Sequence, residues 1–128
     1  MYELGVSRTF VAQHYLTVPS PPPGEGEPHS HTYEVEVQFR TADLGEYGYV
    51  VDIDAVEAAL DDLVADYRDS LLNDRPAFEG NPSVERFARI FGSRVVDHLD
   101  TETLASVDGL TVQMWEDDVA WVSHDREL

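Results

Sequence analysis

Polar and apolar residues alternate from His31 to Arg40, with Tyr33, Val35, Val37 and Phe39 on one side and Glu34, Glu36 and Gln38 on the other. A period of two predicts a strand with one buried face. Upstream, Leu4 to Leu16 is rich in β-branched and aromatic residues and predicts a strand of its own. Residues 17–28 separate the two. Five Pro and two Gly between Pro19 and Pro28 exclude regular structure and predict a loop. Asp43 to Gly48 reads as a turn, and Tyr49-Val50-Val51 as a short extended run.

The period then changes. From Asp54 to Leu71, apolar Val56, Leu60, Leu63, Tyr67 and Leu71 recur at steps of three or four, which predicts a helix with one apolar stripe and Asp54 as its N-cap. Asn73 to Pro82 is a connector. Ser83 to Leu99 is a second helix, with Ser83 as N-cap and Val84, Phe87, Ala88, Phe91 and Val95 on one face. Leu110–Trp115 and Val119–Ser123 are strands joined by Glu116-Asp117-Asp118, and Trp115 and Trp121 flank that turn. The order ββααββ predicts an α+β domain over 1–128: a four-stranded antiparallel sheet with two helices on one face.

Composition sharpens this picture. Twenty-six Asp and Glu against eight Arg and no Lys give a net charge of −18. That charge repels phosphate backbones and argues against a nucleic-acid partner. With 42% hydrophobic residues the chain is no acidic tail; it can build a core. No apolar run is long enough for a membrane span, and no secretory signal is visible, so a cytoplasmic location is expected. The acidic excess suits a surface solvated in a salt-rich cytoplasm, where screening removes most self-repulsion. A surface that attracts a basic partner is the other reading. The absence of cysteine excludes disulfides, thiolate–metal sites and a cysteine nucleophile or base.

Three of the five histidines lie in the first quarter of the chain. His29 and His31, two apart, share one face of an extended segment. If the first two strands form a hairpin across the Pro-rich loop, His14 comes beside them. One such pair alone is common on surface strands. Three imidazoles with an open fourth position are the pattern of a catalytic zinc site, which can polarise a substrate oxygen.

These motifs resemble the 6-pyruvoyltetrahydropterin synthase family, which includes the 6-carboxytetrahydropterin synthases. The resemblance rests on Phe10-Val11-Ala12-Gln13-His14, on His29-Ser30-His31 followed by Tyr33, Val35 and Val37, and on Gly48-Tyr49-Val50-Val51-Asp52. It continues through Leu72-Asn73-Asp74, Asn81-Pro82-Ser83-Val84-Glu85 and Glu116. It implies a tunnelling fold, in which the sheets of several subunits join into a barrel, as a trimer or a hexamer built of two trimers. It also implies Zn2+ on His14, His29 and His31, and a small-molecule pterin partner. Glu116 would accept two parallel bonds from the pterin amino group and ring N–H, and Ser83 would help hold the ring. The implied activity is a lyase step on the side chain of 7,8-dihydroneopterin triphosphate.

The chain departs from the family at the proton-transfer residues. The family's cysteine base, four residues before the zinc pair, is replaced by Glu25, with Glu27 closer to His29. Its Asp–His pair is replaced by Arg68 and Asp69. A branch of the family carries a glutamate in place of the cysteine. Two functions follow. Either Glu25 or Glu27 serves as a rebuilt base, with Asp69 as a relay, or the chain is a non-catalytic paralogue that binds zinc and pterin. A metal-stapled structural oligomer is a third reading.

Overall fold

The computed structural model describes residues 1–128. Strands β1 (Tyr2–His14) and β2 (His29–Thr41) form a long antiparallel hairpin. Helices α1 (Ile53–Tyr67) and α2 (Val84–His98) follow, linked by two single 3-10 turns at Leu72–Asp74 and Pro76–Phe78. Strands β3 (Gly109–Glu116) and β4 (Ala120–Glu127) complete a sheet of order β1-β2-β3-β4, antiparallel throughout. The α+β architecture expected from the hydropathy pattern is the one found.

One face of this sheet is covered. Tyr33, Val35, Val37 and Phe39 of β2 are fully buried, together with Phe10 and Ala12 of β1 and Leu110, Val112 and Met114 of β3. Val56, Leu60, Leu63 and Tyr67 meet them from α1, and Phe87, Ala88, Phe91 and Val95 from α2. Phe87 makes edge contacts at 5.0–5.8 Å with Phe10, Tyr33, Tyr67 and Phe78, so one ring ties both helices to the sheet. α2 approaches the sheet closely at Gly92, where an added Cβ would lie 3.0 Å from Val112 Cγ2. The other face is polar. There Arg40 lies across Gly109, whose missing side chain leaves room for the guanidinium, and reaches Asp125 and Glu127 on β4.

Several boundaries differ from expectation: β1 and β2 begin two residues earlier, at Tyr2 and His29, and β4 runs on to Glu127 rather than ending at Ser123. α1 is capped by Asp52, not Asp54: its Oδ1 accepts from Asp54 N at 3.0 Å and Ala55 N at 3.3 Å. The helix ends at Tyr67 rather than Leu71. Asp69 turns left-handed (φ 57°), and its N–H donates to Val11 O at 2.7 Å. Gln13 N then donates to Ser70 O at 2.9 Å, so the chain after the helix borders the end of β1. Leu71 continues the apolar period but belongs to this edge. Finally, β1 ends at His14 instead of Leu16, because Tyr15 pairs through its backbone N–H and C=O with the Asn73 side chain.

The end of α1 is fixed to its surroundings by charge. Arg75 and Arg94 both reach Asp66 Oδ2, and both guanidiniums lie over the Tyr67 ring, at 4.8 and 5.1 Å from its centroid. The hydrogen bond from Arg94, with that from Arg75, holds the Asp66 carboxyl below its ordinary range.

The capping geometry sets a first expectation. Asp52→Ala lowers the unfolding free energy by about 1 kcal/mol in urea titration at high salt, whereas Asp54→Ala changes it by less than about 0.5 kcal/mol. Equal effects would contradict the assignment of the cap.

Candidate metal centre

The hairpin register brings the histidines together. His14 pairs directly with His29, and His31 stands opposite Ala12. All three rings project from the face that carries the core, at the end where the helices leave it open. Their centroids are 4.5–4.8 Å apart, and their closest ligand atoms all lie within 4.8 Å of one another. His14 is buried; His29 and His31 are half-buried.

Each ring is oriented by an oxygen at Nδ1. His14 Nδ1 lies 3.2 Å from Pro82 O, the carbonyl just before the cap of α2, and 3.3 Å from the Tyr33 hydroxyl. His29 Nδ1 lies 2.8 Å from Glu27 O. His31 Nδ1 meets Asp117 Oδ2. Carbonyls and carboxylates only accept, so each Nδ1 carries the proton and each Nε2 keeps its lone pair. His29 Nε2 is buried with no hydrogen-bond partner. A buried, unpartnered acceptor within a cluster of three imidazoles fits a metal ion better than any protein group in reach. The all-imidazole donor set suits a transition-metal ion such as zinc, copper, iron or nickel. A tetrahedral ion spaces such nitrogens roughly 3.4 Å apart, so the cluster needs only a modest contraction to close.

The carboxylates fall into two groups. Glu116, at the end of β3 and opposite Tyr33, places Oε1 3.9 Å from His31 Nε2. Burial pushes its carboxyl upward; His31 opposes that shift, and Asp117 and Glu25 reinforce it. Glu25 is half-buried at the rim, close enough for Glu116 to feel its charge. Its backbone is pinned by Glu25 N→Pro22 O and Leu16 N→Glu25 O, at 3.0 and 2.7 Å. Glu27 has an exposed side chain and serves the cluster through its carbonyl. Asp69 is exposed, and its side chain makes no hydrogen bond within the chain. Ser83 caps α2 by accepting from Arg86 N at 3.2 Å, which places it next to the carbonyl that orients His14.

The family model for 6-pyruvoyl tetrahydropterin synthase matches residues 3–127. The chain belongs to the 6-pyruvoyl tetrahydropterin synthase family. Its sheet and two helices are the tunnelling fold of that family. Among solved structures, the 6-pyruvoyltetrahydropterin synthase of Plasmodium vivax matches with a TM-score of 0.84 at 16% identity, covering 99% of this chain and 98% of that one. Two further structures of that enzyme, each with a TM-score of 0.82, are variants in which a catalytic glutamate is replaced by alanine or cysteine. The Caenorhabditis elegans 6-pyruvoyl tetrahydropterin synthase matches with a TM-score of 0.77 at 14% identity, covering 98% of this chain and 96% of that one. No curated protein sequence matches the chain.

Membership in the 6-pyruvoyl tetrahydropterin synthase family does not account for every group at the cluster. The residue pattern alone does not single out Asp117, one of the acids in the β3–β4 turn, or the carbonyls of Pro82 and Glu27. Backbone acceptors leave no trace in residue identity. Asp117 was findable: extending the β2–β3 register by one residue places it opposite Thr32, beside His31.

Burial, followed by the neighbouring His31, lowers the pKa of His14 from 6.5 to about 4 in the metal-free protein. A lowered folded-state value means that stability from this group is present above pH 6.5 and lost as pH falls toward 4. Relative to His14→Gln, metal-free wild type therefore loses up to about 3 kcal/mol across that window, read by urea titration of both proteins at each pH. Parallel profiles for the two proteins would refute the burial of a neutral imidazole.

Proposed function

We propose that this chain is a zinc-dependent lyase acting on the side chain of 7,8-dihydroneopterin triphosphate. The observation that carries this reading is the set of three Nδ1-anchored histidines, their ligand atoms within 4.8 Å of one another, with Glu116 Oε1 3.9 Å from His31 Nε2. Zinc, when bound by His14, His29 and His31, would supply the Lewis acidity that polarises a side-chain oxygen of the substrate. Glu116 binds the pterin ring through its amino group and ring N–H, which needs the ionised carboxylate and two acceptor oxygens. Ser83 holds the ring from the start of α2.

Glu25 is the base that takes a proton from the substrate's side-chain carbon. Three features support it over Glu27. It is half-buried, its backbone is fixed on both sides, and its charge reaches Glu116. The catalytic glutamate of the Plasmodium vivax enzyme shows that a carboxylate can be catalytic on this fold. Asp69, exposed on the turn after α1, is the candidate relay for the proton that Glu25 takes. The assembly is a homo-oligomer, trimer or hexamer, joined through sheet edges. The free edge of β4 and the exposed Trp121 and Val119 beside it suit such a contact.

Product analysis by mass spectrometry tests the reading. Protein, zinc and 7,8-dihydroneopterin triphosphate in molar KCl are expected to give a 6-pyruvoyl, 6-carboxy or 6-hydroxymethyl pterin. His31→Ala abolishes the product, and Glu25→Gln slows it by about 10²- to 10⁴-fold, while Glu27→Gln stays near the wild-type rate. Intact substrate after long incubation with folded, zinc-loaded oligomer would instead assign a non-catalytic pterin-binding paralogue.

A further inference from the structure

We propose that Asp117 is a positioning residue for the metal centre: it fixes His31 in the tautomer that presents Nε2 to the ion and adds a negative charge behind that ligand. The inference rests on the metal reading of the histidine cluster. It assigns a role to a residue that lies outside the ligand set.

The turn between β3 and β4 builds the arrangement. Asp117 and Asp118 are both left-handed, with φ of 55° and 58°, in the three-residue loop 117–119, where Val119 N donates to Glu116 O at 3.1 Å. That turn carries Asp117 beyond the last β3 pair and over β2. Asp117 N donates to Thr32 O at 2.8 Å, and Thr32 N donates back to Asp117 Oδ1 at 2.8 Å. One carboxylate oxygen is thereby committed to the backbone. The other, Oδ2, has only His31 Nδ1 before it.

The three histidines are not equivalent in this respect. His14 and His29 are oriented by neutral carbonyls, whereas His31 alone is backed by an anion. An anionic acceptor raises the basicity of the far nitrogen, so His31 is the strongest donor of the three. The arrangement also requires acceptors at both oxygens. An amide at position 117 has one acceptor and one donor for two N–H groups. With its oxygen kept by Thr32 N–H, its NH2 faces His31 Nδ1. The imidazole proton then moves to Nε2, where it points into the cluster and blocks ligation.

Asp117→Asn is therefore a sharp test, and Asp118→Asn its control, since Asp118 is exposed and its side chain makes no hydrogen bond. Both variants lose one charge and keep a turn-compatible residue. Imidazole 15N spectra of metal-free protein at mildly alkaline pH read the tautomer, and competition with a chromogenic chelator reads zinc affinity. The expected result is His31 protonated at Nδ1 in wild type and Asp118→Asn, and at Nε2 in Asp117→Asn. Zinc affinity of Asp117→Asn is expected to fall tenfold to a hundredfold, with circular dichroism unchanged. An unchanged tautomer together with unchanged affinity in Asp117→Asn would overturn the proposal. Should wild-type protein bind no zinc, the metal reading fails, and the tautomer spectra still decide whether Asp117 orients His31.

Discussion

The register of the β1–β2 hairpin is the constraint on which the rest of the molecule depends. Pairing His14 with His29 places the three imidazoles on one face at one end of the sheet. The same register puts Phe10 against Tyr33 and sends Tyr33, Val35, Val37 and Phe39 under the helices. Side chains alternate with period two, so a slip of one residue would turn the core outward and disperse the histidines together. Stability and site assembly are one requirement here. The loop at 17–28, with its five prolines, spans the hairpin without competing for the register.

Each histidine draws its orienting oxygen from a different part of the fold. Pro82 supplies one at the entry to α2, the Pro-rich loop a second at Glu27, and the β3–β4 turn a third at Asp117. The cluster thus reports on the whole tertiary arrangement. It forms only when α2 is docked, the loop is closed and the second hairpin is turned. Zinc bound to such a site would stabilise the folded state through all of these contacts at once. For a domain of this size and acidity that coupling is a useful addition to a modest core.

Much of this was legible in the residues. Alternation gave β2 unambiguously, the apolar stripes gave both helices, and two histidines two apart beside a third predicted the cluster once a hairpin was assumed. What escaped has a physical reason in each case. Leu71 keeps the helical period but is drawn off to the β1 edge, because backbone bonds from Asp69 and Gln13 outweigh another turn of helix. Asp52 and Asp54 are equally good caps by type, and only the backbone path separates them. Asp117 is one acid among 26, and its role comes from a turn conformation and a cross-strand register rather than from its identity. As candidates for the proposed base, Glu25 and Glu27 are separated by burial and backbone anchoring, which composition does not encode.

The central claim is that His14, His29 and His31 bind zinc through their Nε2 atoms and leave an open position. Zinc K-edge X-ray absorption on purified, stoichiometrically loaded protein tests it most directly. Three imidazole nitrogens and one oxygen donor are expected at roughly 2.0 Å, with the imidazole scattering reduced by one ring in His14→Ala. A spectrum dominated by oxygen donors, or identical spectra for wild type and His14→Ala, would contradict it.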